Sequence, residues 1–178
     1  MPRRLLLLQS FLLSLLLSFP LILHPFSRAI GSIDGDGPKH VWNLWWMRAE
    51  FWRGTWGLRT DFVNYPEGMS LYPIEPLNGI LTAFLPLPPV FLSNVLALLH
   101  STLLGLCAGW LGWRVSRNPR GAYVAGALAQ GSAFSAFTLH VGVGELRQIW
   151  WIPLGLAVAD CTREAALEGG RVWRWALA

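Results

Sequence analysis

The run from Leu5 to Leu23 constrains this chain most: nineteen residues carry no charge and are preceded by Arg3 and Arg4. A helix needs about 20 apolar residues to cross the hydrocarbon of a bilayer, whereas a water-soluble core needs no such uninterrupted run. A first membrane span is therefore expected over 5–23. A cleaved signal peptide is the competing reading, because Ser27-Arg28-Ala29 could pass for a cleavage site. The hydrophobic region of such signals covers only about 7 to 15 residues, which favours a retained anchor.

The pattern recurs along the chain. Val90 to Trp113 is apolar and is followed at once by Arg114, Arg117 and Arg120, while Gly121 to Val143 and Gln148 to Ala159 carry no charge. These segments predict spans over 90–113, 121–143 and 146–161, the last reaching spanning length only if it starts near Leu146 and runs to Cys161. Composition agrees, with 53% hydrophobic and 13% charged residues where a soluble domain carries roughly 25% charged. The expected fold is all-α: a polytopic transmembrane bundle of about four spans, with a long first loop over 24–89 and an amphipathic tail over 162–178.

Arginine placement orients these spans. Arg3, Arg4, Arg114, Arg117, Arg120, Arg163, Arg171 and Arg174 all fall on one side, which the enrichment of basic residues on cytoplasmic flanks makes the inside. The N-terminus and tail are then cytoplasmic and the loop 24–89 external, with five basic residues against six acidic ones. The basic residues are spread along the chain, so the formal charge of +4 does not indicate nucleic-acid binding. Cys107 and Cys161 lie in different segments without metal-type spacing and read as filler. In 121–143 small residues at four-residue spacing favour close helix approach in lipid and predict a buried helix. The basic-aromatic ending Arg171-Val-Trp-Arg-Trp looks like the entry to a further apolar segment, so the chain is expected to be the N-terminal part of a larger multi-span protein.

Chemistry is expected in the external loop. From Pro38 onward Trp42, Trp45, Ala49, Trp52 and Trp56 recur at helical spacing, with Lys39, Asn43, Glu50 and Arg53 opposite. Pro38 suits a first helical turn. An indole stripe belongs at the headgroup level, either packing an interfacial helix on the spans or guiding a lipid-linked substrate.

Directly before that helix stands Asp34-Gly35-Asp36-Gly37. Two carboxylates one glycine apart can converge on a divalent cation, Mg2+ or Mn2+, or divide the roles of base and ligand; the alternative is a turn in which Asp and Gly serve backbone geometry. An EF-hand is excluded, since the twelfth position from Asp34 is Trp45. Tyr65-Pro66-Glu67-Gly68 and the Pro-rich stretch to Pro89 predict an ordered turn. Glu75 can join the aspartates or serve as a helix N-terminal carboxylate. In the turn His140-Val-Gly-Val-Gly-Glu145-Leu-Arg147, Arg147 suits a lipid phosphate or a salt bridge to Glu145 or another loop acid. His24 and His40 are too isolated in sequence for metal ligands, and His100 reads as a helix-contact residue.

These residues resemble the N-terminal region of bacterial polytopic membrane glycosyltransferases of the C type, related to the polyprenol-phosphate-sugar-dependent mannosyl- and arabinosyltransferases. The likeness rests on the first span with its basic flank, Asp34 and Asp36, the Trp42 to Trp56 helix, the Tyr65-Pro66-x-Gly68 and Glu75-x-x-x-Gly79 elements and the turn before the fourth span. It implies a polyprenyl-phosphate-linked sugar donor, a glycan, lipid or protein acceptor, and a bacterial plasma-membrane location. It also implies that Asp34 or Asp36 acts as base or metal ligand, with Lys39, His40, Glu75, His140, Glu145 and Arg147 as candidate substrate-binding residues. Full-length members carry more spans and usually a C-terminal external domain, so this length alone would be expected to lack an acceptor site. The alternative is a non-catalytic membrane protein, a transporter component or assembly partner. Transport is disfavoured because only His100 and Gln130 are polar at depth in the spans, while the carboxylates gather at one face.

Overall fold

The computed structural model describes residues 3–20, 23–55, 59–70 and 75–167. They form α1 (Arg3–Leu17), α2 (Gly37–Arg53), β1 (Arg59–Thr60), β2 (Met69–Ser70), α3 (Pro76–Ala83), α4 (Pro89–Ser116), α5 (Pro119–Gln130), α6 (Ala133–Val141), α7 (Gly144–Arg147), a 3-10 turn (Gln148–Trp150) and α8 (Trp151–Leu167). The chain divides into two compact units. The first takes in residues up to Leu17, Leu98–Ala136 and those from Arg147 onward; the second takes in Ser18–Ala97 and Phe137–Leu146.

Among the described residues one helix, α4, is long and apolar enough to cross a membrane. At 1.5 Å per residue its 28 residues exceed the roughly 30 Å of bilayer hydrocarbon. The other expected spans differ from single long helices. α1 stops at Leu17, short of the expected 23, because Pro20 disfavours helical backbone at the residue before it; residues 21–22 lie outside those described. The segment 121–143 is two helices broken at Gly131-Ser132. There the Ser132 hydroxyl donates to Ala129 O at 2.9 Å and accepts from Ser135 N–H at 3.3 Å, replacing continuous helical bonding. The segment 146–161 holds the end of α7, the 3-10 turn and then α8, which continues past Cys161 to Leu167. Of the expected tail, 162–167 extends α8, and 168–178 lies outside the described residues.

The first unit has its polarity turned inside out. α1 buries Leu6, Ser10 and Ser14 while Leu5, Leu7, Leu8, Leu12 and Leu16 stay exposed. α5 packs on α1 and buries Ala122, Gly126 and Gln130, leaving Val124 and Leu128 outside. Gln130 Nε2 donates to Ser10 O at 2.9 Å and Ser14 Oγ at 3.0 Å, and Ser14 Oγ lies 3.0 Å from Thr102 Oγ1. The small residues of α5 allow close approach to α4, as expected: a Cβ on Gly126 would lie 2.7 Å from Gly105 O. His100 is a helix-contact residue, accepting at Nδ1 from Trp150 Nε1 at 3.0 Å. The basic flank is also neutralised in part, since Arg114 pairs with Asp160 at 2.7 Å and Glu164 at 2.6 Å, and Arg117 pairs with Glu164.

In the second unit α2 packs on α3, and Tyr65-Pro66-Glu67 lies in the turn between the antiparallel strands β1 and β2, paired Arg59 with Ser70 and Thr60 with Met69. Pro38 stands in the first turn of α2 and Gly54 closes it in left-handed conformation. In α2 the face opposite the indole stripe is the inner one: Asn43 and Glu50 are buried with His40, Leu44, Trp46 and Met47, whereas Trp45 and Trp52 are exposed. Local partners make this burial possible: Glu50 accepts from Arg53 at 3.1 Å and from the Thr55 hydroxyl. Trp52 Nε1 donates to Ala83 O at 3.0 Å while its ring meets Phe84 edge-on.

Candidate functional site

The acidic turn is a backbone construction. Ser32 N–H donates to His140 O at 2.7 Å and Asp36 N–H to Val141 O at 3.1 Å, fastening 31–37 to the end of α6. Glycines permit this closeness: a Cβ on Gly142 would stand 2.7 Å from Gly37 Cα and 3.2 Å from Gly31 Cα. Asp36 occupies the N-cap position of α2 without a side-chain cap bond, and its carboxylate pairs instead with Lys39 at 3.1 Å. Asp34 is exposed, its N–H donating to Ser32 Oγ at 3.2 Å.

A second group of titratable residues lies in the same unit. His40, on the buried face of α2, has Nδ1 3.3 Å from Glu75 Oε1 and Nε2 2.9 Å from Glu145 Oε2. Gly144 N–H also donates to Nε2, at 3.0 Å. Glu75 is buried at the start of α3, where Asn78 Nδ2 donates to Oε2 at 3.3 Å; Glu145 is partly exposed. Gly144 leaves the room these groups need, since a Cβ there would meet His40 Nδ1 at 2.8 Å and collide with Glu75 Oε1. An imidazole between two carboxylates can pass a proton or share a cation with them.

Beside the acidic turn runs a groove of about 950 Å³. Val41, Trp42, Trp45, Pro89 and Val90 give it apolar walls, Arg28 brings a cation, and Ser32, Ile33, Gly37 and Pro38 line it from both sides of the acidic turn. Asn94 shapes the segment carrying Arg28, accepting from Ile30 N–H at 2.8 Å and donating to Pro25 O at 2.8 Å and Arg28 O at 2.7 Å.

The second unit thus holds Asp34, Asp36, Lys39, His40, Glu75, His140 and Glu145 together. It brings Glu75 to His40, and it brings the His140 backbone, with the side chain exposed, to the acidic turn. Trp42 stacks on Trp46 with ring centroids 5.3 Å apart, Trp45 meets Phe62 at 5.1 Å, and Trp56 lies outside the described residues. Arg147 belongs to the first unit and is buried, rather than standing open to a phosphate. Sequence reasoning names His40 as a candidate substrate-binding residue but not as a metal ligand, and it does not include Arg28 or Asn94. The detectable signal for His40 as a substrate-binding residue was its place four residues after Asp36 on the predicted helix; Arg28 and Asn94 had none. As a metal site the aspartates fit poorly, because Lys39 already neutralises Asp36, whereas the donors that gather within 4.8 Å of one another are those of His40, Glu75 and Glu145. Comparison of the chain with protein-family models, curated proteins and solved structures finds no match.

Proposed function

We propose that this protein transfers a sugar from a polyprenyl-phosphate-linked donor to an acceptor hydroxyl at the external face of the bacterial plasma membrane, as part of a bundle of about four spans. The observation that carries the reading is the groove: tryptophan-lined apolar walls, the Arg28 cation and the flanks of a two-carboxylate turn belong to one surface. An isoprenoid chain suits the walls, and Arg28 suits the phosphate through its planar fork. The inside-out burial of α1 and α5 supports lipid as the surrounding solvent.

In the reaction a carboxylate of Asp34 or Asp36 takes the proton of the acceptor hydroxyl as its oxygen bonds to the anomeric carbon. The bond from that carbon to the phosphate oxygen breaks, and the phosphate departs with the electron pair, its charge balanced by Arg28. Lys39, paired with Asp36, holds that carboxylate in place. The test is incorporation of radiolabelled sugar from polyprenyl-phosphate donors by membranes expressing the protein. Asp34→Asn or Asp36→Asn at matched protein level abolishes transfer if the turn carries the base, and Arg28→Gln raises the donor KM. Undiminished transfer in both aspartate variants removes the turn from the mechanism. Absence of transfer by the unsubstituted protein over a broad donor panel favours the non-catalytic reading.

A further inference from the structure

We infer that His40, Glu75 and Glu145 form a binding site for a divalent transition-metal ion, with Zn2+ as the best fit. One donor atom from each residue lies within 4.8 Å of the other two. Bonds from Zn2+ to nitrogen or carboxylate oxygen run about 2.0 to 2.2 Å, so donors on one tetrahedral ion stand about 3.4 Å apart. Side-chain rotations that draw the outermost donors together by up to about 1.4 Å close that difference. A neutral imidazole with two carboxylates supplies two negative charges for a divalent ion. This mixed nitrogen and oxygen set suits borderline metals better than the all-oxygen shells that Mg2+ and Ca2+ prefer.

A second observation points the same way. His40 is buried, yet its Nδ1 has no aligned hydrogen bond although Glu75 Oε1 faces it at 3.3 Å. A ring nitrogen so placed, away from water and facing a carboxylate, is suited to bind a cation. The surroundings are built around that space: Gly144 withholds the Cβ that would fill it, and Asn78 holds the remaining oxygen of Glu75. Glu145, the exposed member, is the route by which an ion enters from solvent. None of this depends on glycosyl transfer, because Asp34 and Asp36 are not among the ligands.

The test is equilibrium dialysis of the full chain in detergent micelles against Zn2+, with Co2+ as a spectroscopic substitute. Saturable uptake of a single equivalent and visible d–d absorption from Co2+ are expected. Glu145→Gln changes a partly exposed side chain, so the fold is retained, and it should weaken Zn2+ binding at least about 10-fold, because losing a ligand costs no less than losing a group that orients one. His40→Gln should abolish both uptake and the Co2+ spectrum, whereas His24→Ala, at an exposed histidine outside the cluster, should leave both unchanged. Absence of saturable uptake overturns the site, as does equal affinity in the unsubstituted protein and Glu145→Gln. Loss of sugar transfer in the aspartate variants, or its persistence, leaves this result untouched.

Discussion

Substituting Gly142 with Ala tests whether the acidic turn is held by backbone contact. Gly142 has φ +85°, and an added Cβ would meet Gly37 Cα at 2.7 Å, Gly37 N at 2.8 Å and Gly31 Cα at 3.2 Å. Left-handed backbone costs an L-residue about 1 to 2 kcal/mol. The neighbours are main chain, so no side chain can swing aside, and overpacking of this kind adds about 1 to 3 kcal/mol. The total is about 2 to 5 kcal/mol. Gly54 provides the control in the same unit: its φ is +76° and nothing lies within 4 Å of its added Cβ, so Gly54→Ala should cost only the conformational part, about 1 to 2 kcal/mol. Denaturant unfolding of both variants in micelles, followed by tryptophan fluorescence, measures the difference, with Trp42, Trp45 and Trp46 as reporters in that unit. On the proposed function, Gly142→Ala should also lower sugar transfer, because relief of the clash draws His140 and Val141 away from Ser32 and Asp36. Equal destabilisation by the two substitutions would refute the contact argument.

Asn94→Ala removes three hydrogen bonds to the segment 25–30, those with Ile30 N–H, Pro25 O and Arg28 O. It should cost about 2 to 4 kcal/mol in the same unfolding assay, and a loss below about 0.5 kcal/mol would contradict the clamp. Arg114→Gln and Asp160→Asn, combined in a double-mutant cycle, should show a favourable coupling, because the two side chains pair at 2.7 Å. A coupling near zero would mean that the contact adds no net stability.

Local signals in the chain were reliable where they act over a few residues. Pro38 announced the start of α2, and the uncharged run before Arg114 announced α4, since proline chemistry and hydrophobic length need no partner to take effect. The periodicity separated the two faces of α2 without saying which one is covered by protein, because an indole stripe suits a membrane boundary as well as a core. In this unit Glu50 finds Arg53 and Thr55, so a polar face can be buried at little cost. As a metal ligand, His40 has no signal in the sequence. Its neighbours Glu75 and Gly144 come from other helices, the latter 104 residues away, and no spacing rule reports a meeting of that kind. The break at Gly131-Ser132 was present as a glycine and a hydroxyl, but small residues also suit close packing in lipid, and that reading prevailed.

The burial patterns also separate the two candidate solvents within each unit on its own terms. In water a helix hides leucine and shows serine; α1 hides Ser10 and Ser14 and shows five leucines. The Ser14 hydroxyl is satisfied inside, accepting from Gln130 Nε2 at 3.0 Å and donating to Ser10 O at 2.9 Å, while Gln130 also donates to the main-chain carbonyl of Ser10. α2 departs from the water pattern differently, burying Asn43 and Glu50 while Trp45 and Trp52 stay outside. Indole has an apolar body and one polar N–H, which suits the boundary between hydrocarbon and water better than either phase alone. On Trp52 that N–H is already bound to Ala83 O, so the ring can turn toward lipid without exposing an unmet donor. On the proposed function, a helix of this kind, with carboxylates at its start and a groove along its tryptophans, receives a molecule that is apolar at one end and anionic at the other.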